Sequence, residues 1–566
     1  MLAVRKNEAG PGPTYDCIWP GDDEVSHERA MCIMSPQVLD PDGCVMGYDI
    51  ECTSEYKGLP SPSDPITMLS VWCSCGFSWL GHTLVNHRDK EEYYGTVTGL
   101  VDALVAIVVC HSPQWLVGYN NFAFDNPALY YHSSLKHYFR QVRMPRPSLA
   151  CTIEVPAVVN CDAYAFLDKT QRGSYSSMRL DVVARQLGLG GKTRQVISPG
   201  DTHEDFRLAA DYNLNDSRLA SLVWSKTSCC HSVTALCKVF ACRPTDAVRY
   251  NTGVMTSCMM AHRLTWRGKV MDWRECDAMP YQGGLVLQPA LGHHRHVAVL
   301  DFASMYPSVM CLANISHETI RQQRSVSLKN QGAVVWTDSC IAAVHEDRVA
   351  MFPREPLGVI PEAMAELVRE RRATNKADPL NWALKVGANS LYGAMGFEHS
   401  GLYSPVCAAS VTLISRWALT ATECIAVRMG ARVVYGDTDS IMIVGYRDEG
   451  LPDYVCATVG LVLSYAMPPT NGMAFTLQHE KTYQSMVVFG PKQYLQRTYE
   501  GNVIPKGIHL VRKDRAPLIG DCVAYLCECL CETQSNIDCA FLCTAKIEER
   551  QGQRSQSSQR PPATAR

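Results

Sequence analysis

Apolar positions recur along this chain with two periods, and they divide it into alternating strand and helix signals. From Gly43 the run CVMGYDIEC reads as a strand and opens an α/β region that continues to about Ala241. LVDALVAIVVC, Leu100 to Cys110, is the longest apolar run; it is too short to span a bilayer and reads as a core helix, or helix plus strand, under Trp115–Gly118. MRLDVVARQLGL has helical period and then meets Gly-Gly, a stop signal. EDFRLAADYNLNDSRLASLVWSK predicts another helix, with Leu208, Tyr212 and Leu219 on one side. HVAVLDFASMY, from His296, begins a second unit with a strand. A polar, loop-containing stretch follows, then the helix IPEAMAELVRERRATNK with Pro361 near its start, then the helix NWALKVGANSLYGAMGF. The stripes Met364/Leu367/Val368 and Leu384/Leu391 predict that these two helices pair antiparallel. RVVYGDTDSIMIVGY reads as a β-hairpin with Gly-Asp-Thr-Asp at its tip. The Pro/Gly/Asp/Glu-rich start predicts a loosely structured lead-in, and the low-complexity end GQRSQSSQRPPATAR predicts disorder.

With 566 residues the chain should hold several domains, and 46% hydrophobic against 19% charged residues is ordinary for soluble globular protein. The net charge of −3 does not announce a nucleic-acid binder, so any basic surface is local. The start MLAVRKNEAGPGP lacks the apolar core of a secretory signal. The 26 cysteines therefore read as thiols in a reducing compartment, without a C-x-x-C pair. Cys527, Cys529, Cys531, Cys539 and Cys543 form the densest group, but their spacing matches zinc sites poorly.

Two sets of acids bring chemistry into view. Asp49 and Glu51 lie two apart on one strand, so both point to one face. Alone, that pair reads more readily as a solvated strand. Further on, Asp125 follows an aromatic in VGYNNFAFDNPAL, and Tyr212 and Asp216 stand one helical turn apart. Together these acids could hold two hard cations through oxygen, one activating a water that Tyr212 orients and one stabilising a departing 3′-oxygen.

The second set is Asp301 at a strand end in DFASMYPSV and Asp437 and Asp439 in YGDTDS. Gly-Asp-Thr-Asp alone is also good turn chemistry. Three carboxylates on adjacent strands can hold two Mg²⁺ ions roughly 3.5–4 Å apart for phosphoryl transfer. Lys385 and Asn389 share a helix face, with Lys385 a candidate triphosphate contact and Tyr392-Gly393 a place where a base pair could approach. Among Arg369, Arg371 and Arg372, Arg371 is favoured for the γ-phosphate; a solvated basic face is the alternative.

These segments, taken in order, resemble B-family DNA polymerases. DIE, Y-N-x-x-x-F-D and Y-x-x-x-D look like the family's three exonuclease motifs; DFASMYPS, K-x-x-x-N-S-x-Y-G and YGDTDS look like its motifs A, B and C. The resemblance covers about Gly43 to Asp521. It implies an α/β plus α+β multidomain fold: a ribonuclease-H-like 3′→5′ exonuclease, then a right-hand polymerase with an antiparallel palm, helical fingers and a short thumb. The expected order is lead-in 1–42, exonuclease 43–241, palm 242–320, fingers 321–400, palm 401–500, thumb 501–550 and tail 551–566. It implies metal binding by Asp49, Glu51, Asp125 and Asp216 in one site, with Tyr212 placing water. In the other site Asp301 and Asp439 would bridge metals, with Asp437 accompanying. Two Mg²⁺ ions per site are implied, with Mn²⁺ able to substitute. The amides of Phe302, Ala303, Ser304 and Met305 would face the triphosphate, and Tyr306 would exclude a ribose 2′-hydroxyl. Asn120 would contact the primer strand. YQGGLVLQP, with Tyr281, Gly283 and Gly284, resembles a template-contacting segment; Lys492, Tyr494, Lys506 and Arg512 would hold the duplex without reading sequence. Gln493 replaces a second lysine usual in the family.

The implied partners are primer–template DNA, deoxynucleoside triphosphates and a processivity factor, with no membrane. The expected setting is intracellular, in a nucleus, or the host nucleus for a viral lineage. Two rival functions share the sequence: a 3′→5′ nuclease whose short thumb leaves synthesis feeble, and a non-catalytic DNA-binding remnant. Retention of every acid argues against the second.

Overall fold

The structure, a computed structural model, describes residues 3–7, 14–18, 39–53, 61–87, 92–143, 149–191, 203–266, 280–324, 332–345, 348–470 and 472–507. These belong to two compact units, Met1–Asp272 with Thr374–Gly387, and Trp273–Ala373 with Ala388–Arg566. The first unit therefore extends about thirty residues past the expected boundary at 241, taking in helices Pro244–Val248 and Thr252–Trp266.

The first unit is built on a five-stranded sheet. Strands β3 (Val45–Cys52), β4 (Ile66–Cys73) and β5 (Ser78–His82) follow a short pair, β1 (Ala3–Asn7) and β2 (Thr14–Ile18). Within the lead-in expected to be loosely structured, residues 3–7 and 14–18, with β-prone Val4, Tyr15 and Ile18, form an antiparallel ladder from Ala3↔Ile18 to Asn7↔Thr14. β6 (Trp115–Gly118), β7 (Phe139–Arg143), β8 (Leu149–Ile153) and β9 (Val159–Asp162) come next. The main sheet runs β5-β4-β3-β6-β9, antiparallel from β5 to β3 and parallel from β3 to β9.

Successive residues of β3 face opposite sides. Met46, Tyr48 and Ile50 enter a core with Leu100, Leu104 and Val108 of helix α1 (Val97–His111), whose N-cap Thr96 accepts from the Gly99 amide. Gly47, Asp49 and Glu51 face the other way, toward α5 (His203–Lys226), with α2 (Asp125–His132), α3 (Ala163–Thr170) and α4 (Leu180–Gln186) lying between in sequence. Of the predicted apolar side of α5, Leu219 is buried and Tyr212 half-buried, and only Leu208 departs from it. Leu208 is 42% exposed, while Ala209, Asn213, Asp216, Ser217 and Ala220 are buried. Where the helix passes Gly47 it presents the small side chains of Ser217 and Ser221.

The second unit is built on an antiparallel sheet of order β15-β16-β10-β17-β18-β19, comprising β10 (Gly292–Phe302), β15 (Arg432–Asp437), β16 (Ser440–Val444), β17 (Leu477–Gly490), β18 (Gln493–Arg497) and β19 (Val503–Lys506). The stretch read as polar and loop-containing holds a separate antiparallel sheet: β11 (Arg321–Arg324), β12 (Val334–Trp336), β13 (Cys340–Val344) and β14 (Arg348–Pro353). Its strands are short and bury few side chains, among them Ile341, Ala343, Ala350 and Phe352, so the apolar signal is thin.

After α6 (Cys229–Phe240), α7 (Pro244–Val248) and α8 (Thr252–Trp266) of the first unit, the helices are α9 (Met305–Leu312), α10 (Val359–Ala373), α11 (Pro379–Gly396), α12 (Pro405–Arg428) and α13 (Leu451–Ala466). Met364, Leu367 and Val368 are buried as their spacing predicted, and the helix that α10 packs on most is α9. α11 is continuous, although its residues up to Gly387 belong to the first unit and those from Ala388 to the second. Among the described residues no helix is long and apolar enough to cross a membrane.

Candidate functional site

In the first unit the carboxylates of Asp49, Glu51 and Asp216 converge, with ligand oxygens all within 4.8 Å of one another. β3 presents the first two because they alternate with buried Tyr48 and Ile50. α5 supplies the third, and Gly47 makes its approach possible: a Cβ there would lie 2.0 Å from the Ser217 carbonyl oxygen. Ser70 of β4 fixes the helix by donating to the Asn213 carbonyl at 2.9 Å, with its hydroxyl 2.5 Å from that of Ser217. Asn213 donates to Asp49 Oδ2 at 3.0 Å and so holds one rotamer of that acid. Tyr212 is half-buried on the same helix, one turn before buried Asp216.

Asp125 is the first residue of α2 and is 5% exposed. Burial pushes its carboxyl up to about 7, with Asp162 and Glu51 adding to the rise, while backbone donors including Ile50 oppose it. It thus borders β3 without joining the 4.8 Å group. The loop before it hangs on Asp162, whose Oδ1 accepts from the Asn120 amide at 2.9 Å and from Ala165 at 3.0 Å, and whose Oδ2 accepts from Phe122 at 3.1 Å. Asn120 itself is exposed at φ 70°, a left-handed corner that asparagine tolerates. Underneath, Tyr48 donates to Asn126 at 2.5 Å and accepts from Asn121 at 2.6 Å; Asn126 also donates to Asn160 at 2.9 Å. The motif spacing pointed to Asp125 and Asn120 but not to Asp162, Asn213 or this buried network, all joined through contacts distant in sequence.

In the second unit Asp301 pairs with Ser440 across β10 and β16, and Ser440 pairs with Asp437 across the hairpin. The tip turns through Thr438 at φ 59°, and the Phe302 amide donates to the Asp439 carbonyl at 2.8 Å. Burial, then the neighbouring Asp437, pushes the Asp439 carboxyl up. Asp437 is engaged by Lys492 Nζ at 2.9 Å, by Thr438 at 3.0 Å and by Tyr435 at 3.3 Å. Lys492, expected on duplex phosphates, is therefore turned to Asp437, with its side chain still 66% exposed. The three acids do not share the tight grouping seen in the first unit.

Around them, the Tyr306 and Tyr392 rings lie 4.3 Å apart, and burial followed by a hydrogen bond with Tyr281 pushes the Tyr392 phenol up. The Tyr281 hydroxyl fills the space above Gly396, where a Cβ would come within 2.2 Å. A Cβ on Gly284 would meet Thr438 at 2.9 Å and Tyr306 at 3.0 Å. Arg416, absent from the sequence reading, donates to the carbonyls of Gln282 at 2.7 Å and Gly283 at 2.8 Å, clamping the glycine segment over the site. The amides of Phe302 and Ala303 are used within the protein, by Asp439 and Thr476, which corrects their expected role; Ser304 and Met305 stand at the first turn of α9.

Lys385 and Asn389 are exposed on one face of α11, with half-buried Tyr392 following. Arg371 is half-buried, and Arg372 donates to the Gly472 carbonyl at 2.9 Å. Tyr494 pairs with Lys506 across β18 and β19, and its ring lies 5.9 Å from that of Tyr435. Arg512, most of the expected thumb, the tail and the cysteines from Cys527 to Cys543 lie outside the described residues.

The model of DNA polymerase family B matches residues 249–561. A DNA polymerase of Archaeoglobus fulgidus is 25% identical over 508 residues, covering 85% of this chain and 59% of its own. A DNA polymerase alpha catalytic subunit of Xenopus laevis is 34% identical over 180 residues, 29% of this chain and 12% of its own. The chain thus spans about three fifths or less of the length of these curated relatives. Among solved structures, the family B DNA polymerase of Pyrobaculum calidifontis matches with a TM-score of 0.61 at 22% identity, covering 99% of this chain and 70% of that one, a likeness of fold.

Proposed function

The chain belongs to DNA polymerase family B, and on that premise we propose that it extends a primer 3′-OH along a DNA template from deoxynucleoside triphosphates, in DNA replication, and proofreads with a 3′→5′ exonuclease. The observation that carries this reading is the pair of carboxylate centres, one in each compact unit. Sheet order β5-β4-β3-β6-β9 supports a ribonuclease-H-like first unit, and the six-stranded antiparallel sheet supports a palm, with α10 and α11 as fingers.

All-oxygen donor sets suit hard cations, and the grouping of Asp49, Glu51 and Asp216 fits one. Two Mg²⁺ ions per centre, or Mn²⁺ in their place, would lower the pKa of the attacking oxygen and neutralise charge on the leaving one. In the first unit Asn213 orients Asp49, Tyr212 orients the attacking water, and exposed Asn120 meets the primer end. In the second, Asp301 and Asp439 are the holding acids. Arg371 and the Ser304 and Met305 amides bind the triphosphate, and Tyr306 packs under the sugar. Tyr494 and Lys506 track the duplex, and a processivity factor is a further partner.

The test uses purified protein, Mg²⁺ and a 5′-labelled primer–template with and without dNTPs. Asp439→Asn should reduce extension by at least ~10³-fold, about 4 kcal/mol, and leave single-strand digestion near normal. Asp49→Ala with Glu51→Ala should do the reverse and raise misincorporation. Loss of both activities together in either variant, with folding intact, would refute two separate centres.

A further inference from the structure

At the opposite end of β3 from the acids, Cys44, Cys73, Cys75 and His111 turn their ligand atoms toward one point, all within 4.8 Å of one another. They come from three elements. Cys44 immediately precedes β3, Cys73 ends β4, Cys75 lies in the turn to β5, and His111 is the last residue of α1. The backbone holds this convergence firmly. Val45 and Ser74 exchange hydrogen bonds, Ser74 N to Val45 O at 2.9 Å and Val45 N to Ser74 Oγ at 3.0 Å. The turn closes through Cys73 N to Phe77 O at 2.8 Å, with Gly76 at φ 96°, a conformation that suits glycine. The chain after α1 returns through a left-handed Ser112 cap, and Trp115 N donates to Cys44 O at 3.0 Å.

His111 Nε2 lies 3.8, 3.5 and 3.3 Å from the sulfurs of Cys44, Cys73 and Cys75. Two ligands at ~2.3 Å (S) and ~2.0 Å (N) from a tetrahedral zinc stand about 3.5 Å apart, so these separations are those of a shared metal. The Cys44 and Cys73 sulfurs are 2.8 Å apart, wider than the ~2.05 Å of a disulfide; tetrahedral zinc with Zn–S at ~2.3 Å would part them to about 3.8 Å, a movement of roughly 1 Å. Three soft sulfurs and an imidazole select zinc over the hard ions suited to the carboxylate centres.

We propose that Cys44, Cys73, Cys75 and His111 form a structural Cys₃His zinc site that ties the start of β3, the β4–β5 turn and the end of α1 together. Four protein ligands complete the tetrahedron, so the site leaves no position for substrate. Asp49 lies five residues along the strand, roughly 17 Å away at strand rise, so the zinc steadies the sheet that carries the acids and takes no part in their chemistry.

The experiment is metal analysis of the full chain purified without chelators, beside a Cys75→Ser/His111→Gln variant. Cys75 is exposed and His111 half-buried, so neither substitution empties the core, and far-UV circular dichroism with limited proteolysis of the first unit reports whether the variant keeps its fold. The expected result is about one zinc per chain in the parent and under ~0.1 of that equivalent in the variant. Cobalt substitution should give the thiolate-to-cobalt charge-transfer band in the parent only. A parent without zinc, zinc retained in the variant, or a Cys44–Cys73 disulfide peptide in unreduced, alkylated digests would overturn the proposal.

Discussion

Gly47→Ala tests the geometry of the proposed exonuclease centre, the Asp49/Glu51/Asp216 group, without touching an acid. The added Cβ would lie 2.0 Å from the Ser217 carbonyl oxygen and 3.0 Å from Ser221 Cβ. An ordinary C···O contact is about 3.2 Å, so α5 must retreat by roughly 1 Å; the obstruction is helix backbone and cannot rotate away. Ser70 resists that retreat through its hydrogen bonds to α5, so the strain is shared between broken bonds and a displaced helix. Overpacking of this kind costs about 1–3 kcal/mol. The larger effect is on function. Asp216 and Asn213 ride on α5, and a displacement near 1 Å costs on the order of 10²-fold in rate.

The assay is single-strand digestion against Mg²⁺ concentration, with primer extension measured on the same preparation. Digestion should fall about 100-fold while extension stays within about twofold of the parent. Gly173→Ala is the control, since a Cβ there meets nothing within 4 Å. Wild-type digestion by Gly47→Ala at ordinary Mg²⁺ would refute the argument that close helix approach sets the acid geometry.

Two further perturbations probe the second unit. Tyr306→Ala removes a ring packed 4.3 Å from Tyr392 and should raise the ribo- to deoxyribonucleotide ratio of kcat/KM by about 10²–10³-fold, roughly 3–4 kcal/mol; equal loss of both substrates would mark Tyr306 as packing alone. Lys492→Ala removes the cation 2.9 Å from Asp437 and should lower the Mg²⁺ needed for half-maximal extension about threefold or more, with stability changed by under ~1 kcal/mol because the lysine is 66% exposed; an unchanged Mg²⁺ dependence would separate Asp437 from the metal site.

What the sequence made legible follows from how far each signal reaches along the chain. The alternation around Asp49 and Glu51, the turn residues at Asp437–Asp439 and the helical spacing of Tyr212 and Asp216 are local, and each falls on the expected element. The sheet at 321–353 escaped because its strands are three to six residues long and bury few side chains. Leu208 misled for a different reason. Periodicity marks an apolar side of a helix without knowing where along its length the rest of the unit covers it: Leu208, near the start of α5, is exposed, while Leu219 on the same side is buried.

The same logic separates the groups that do chemistry from those that hold them. Acids required at a reacting centre come in short motifs, whereas Asp162, Asn213 and Arg416 act on backbone or on another side chain and can sit wherever the fold returns. Cys44, Cys73, Cys75 and His111 span 68 positions and include only one close pair, so spacing rules built on neighbouring cysteines pass over them. Their convergence depends on β3 lying beside β4 and on α1 returning to the same edge. The strand that carries Asp49 and Glu51 is thus fixed twice, by the Gly47 approach of α5 near the acids and by the thiol–imidazole cluster at its start. A change at either end should reach digestion while leaving extension, which depends on the other sheet, close to the parent.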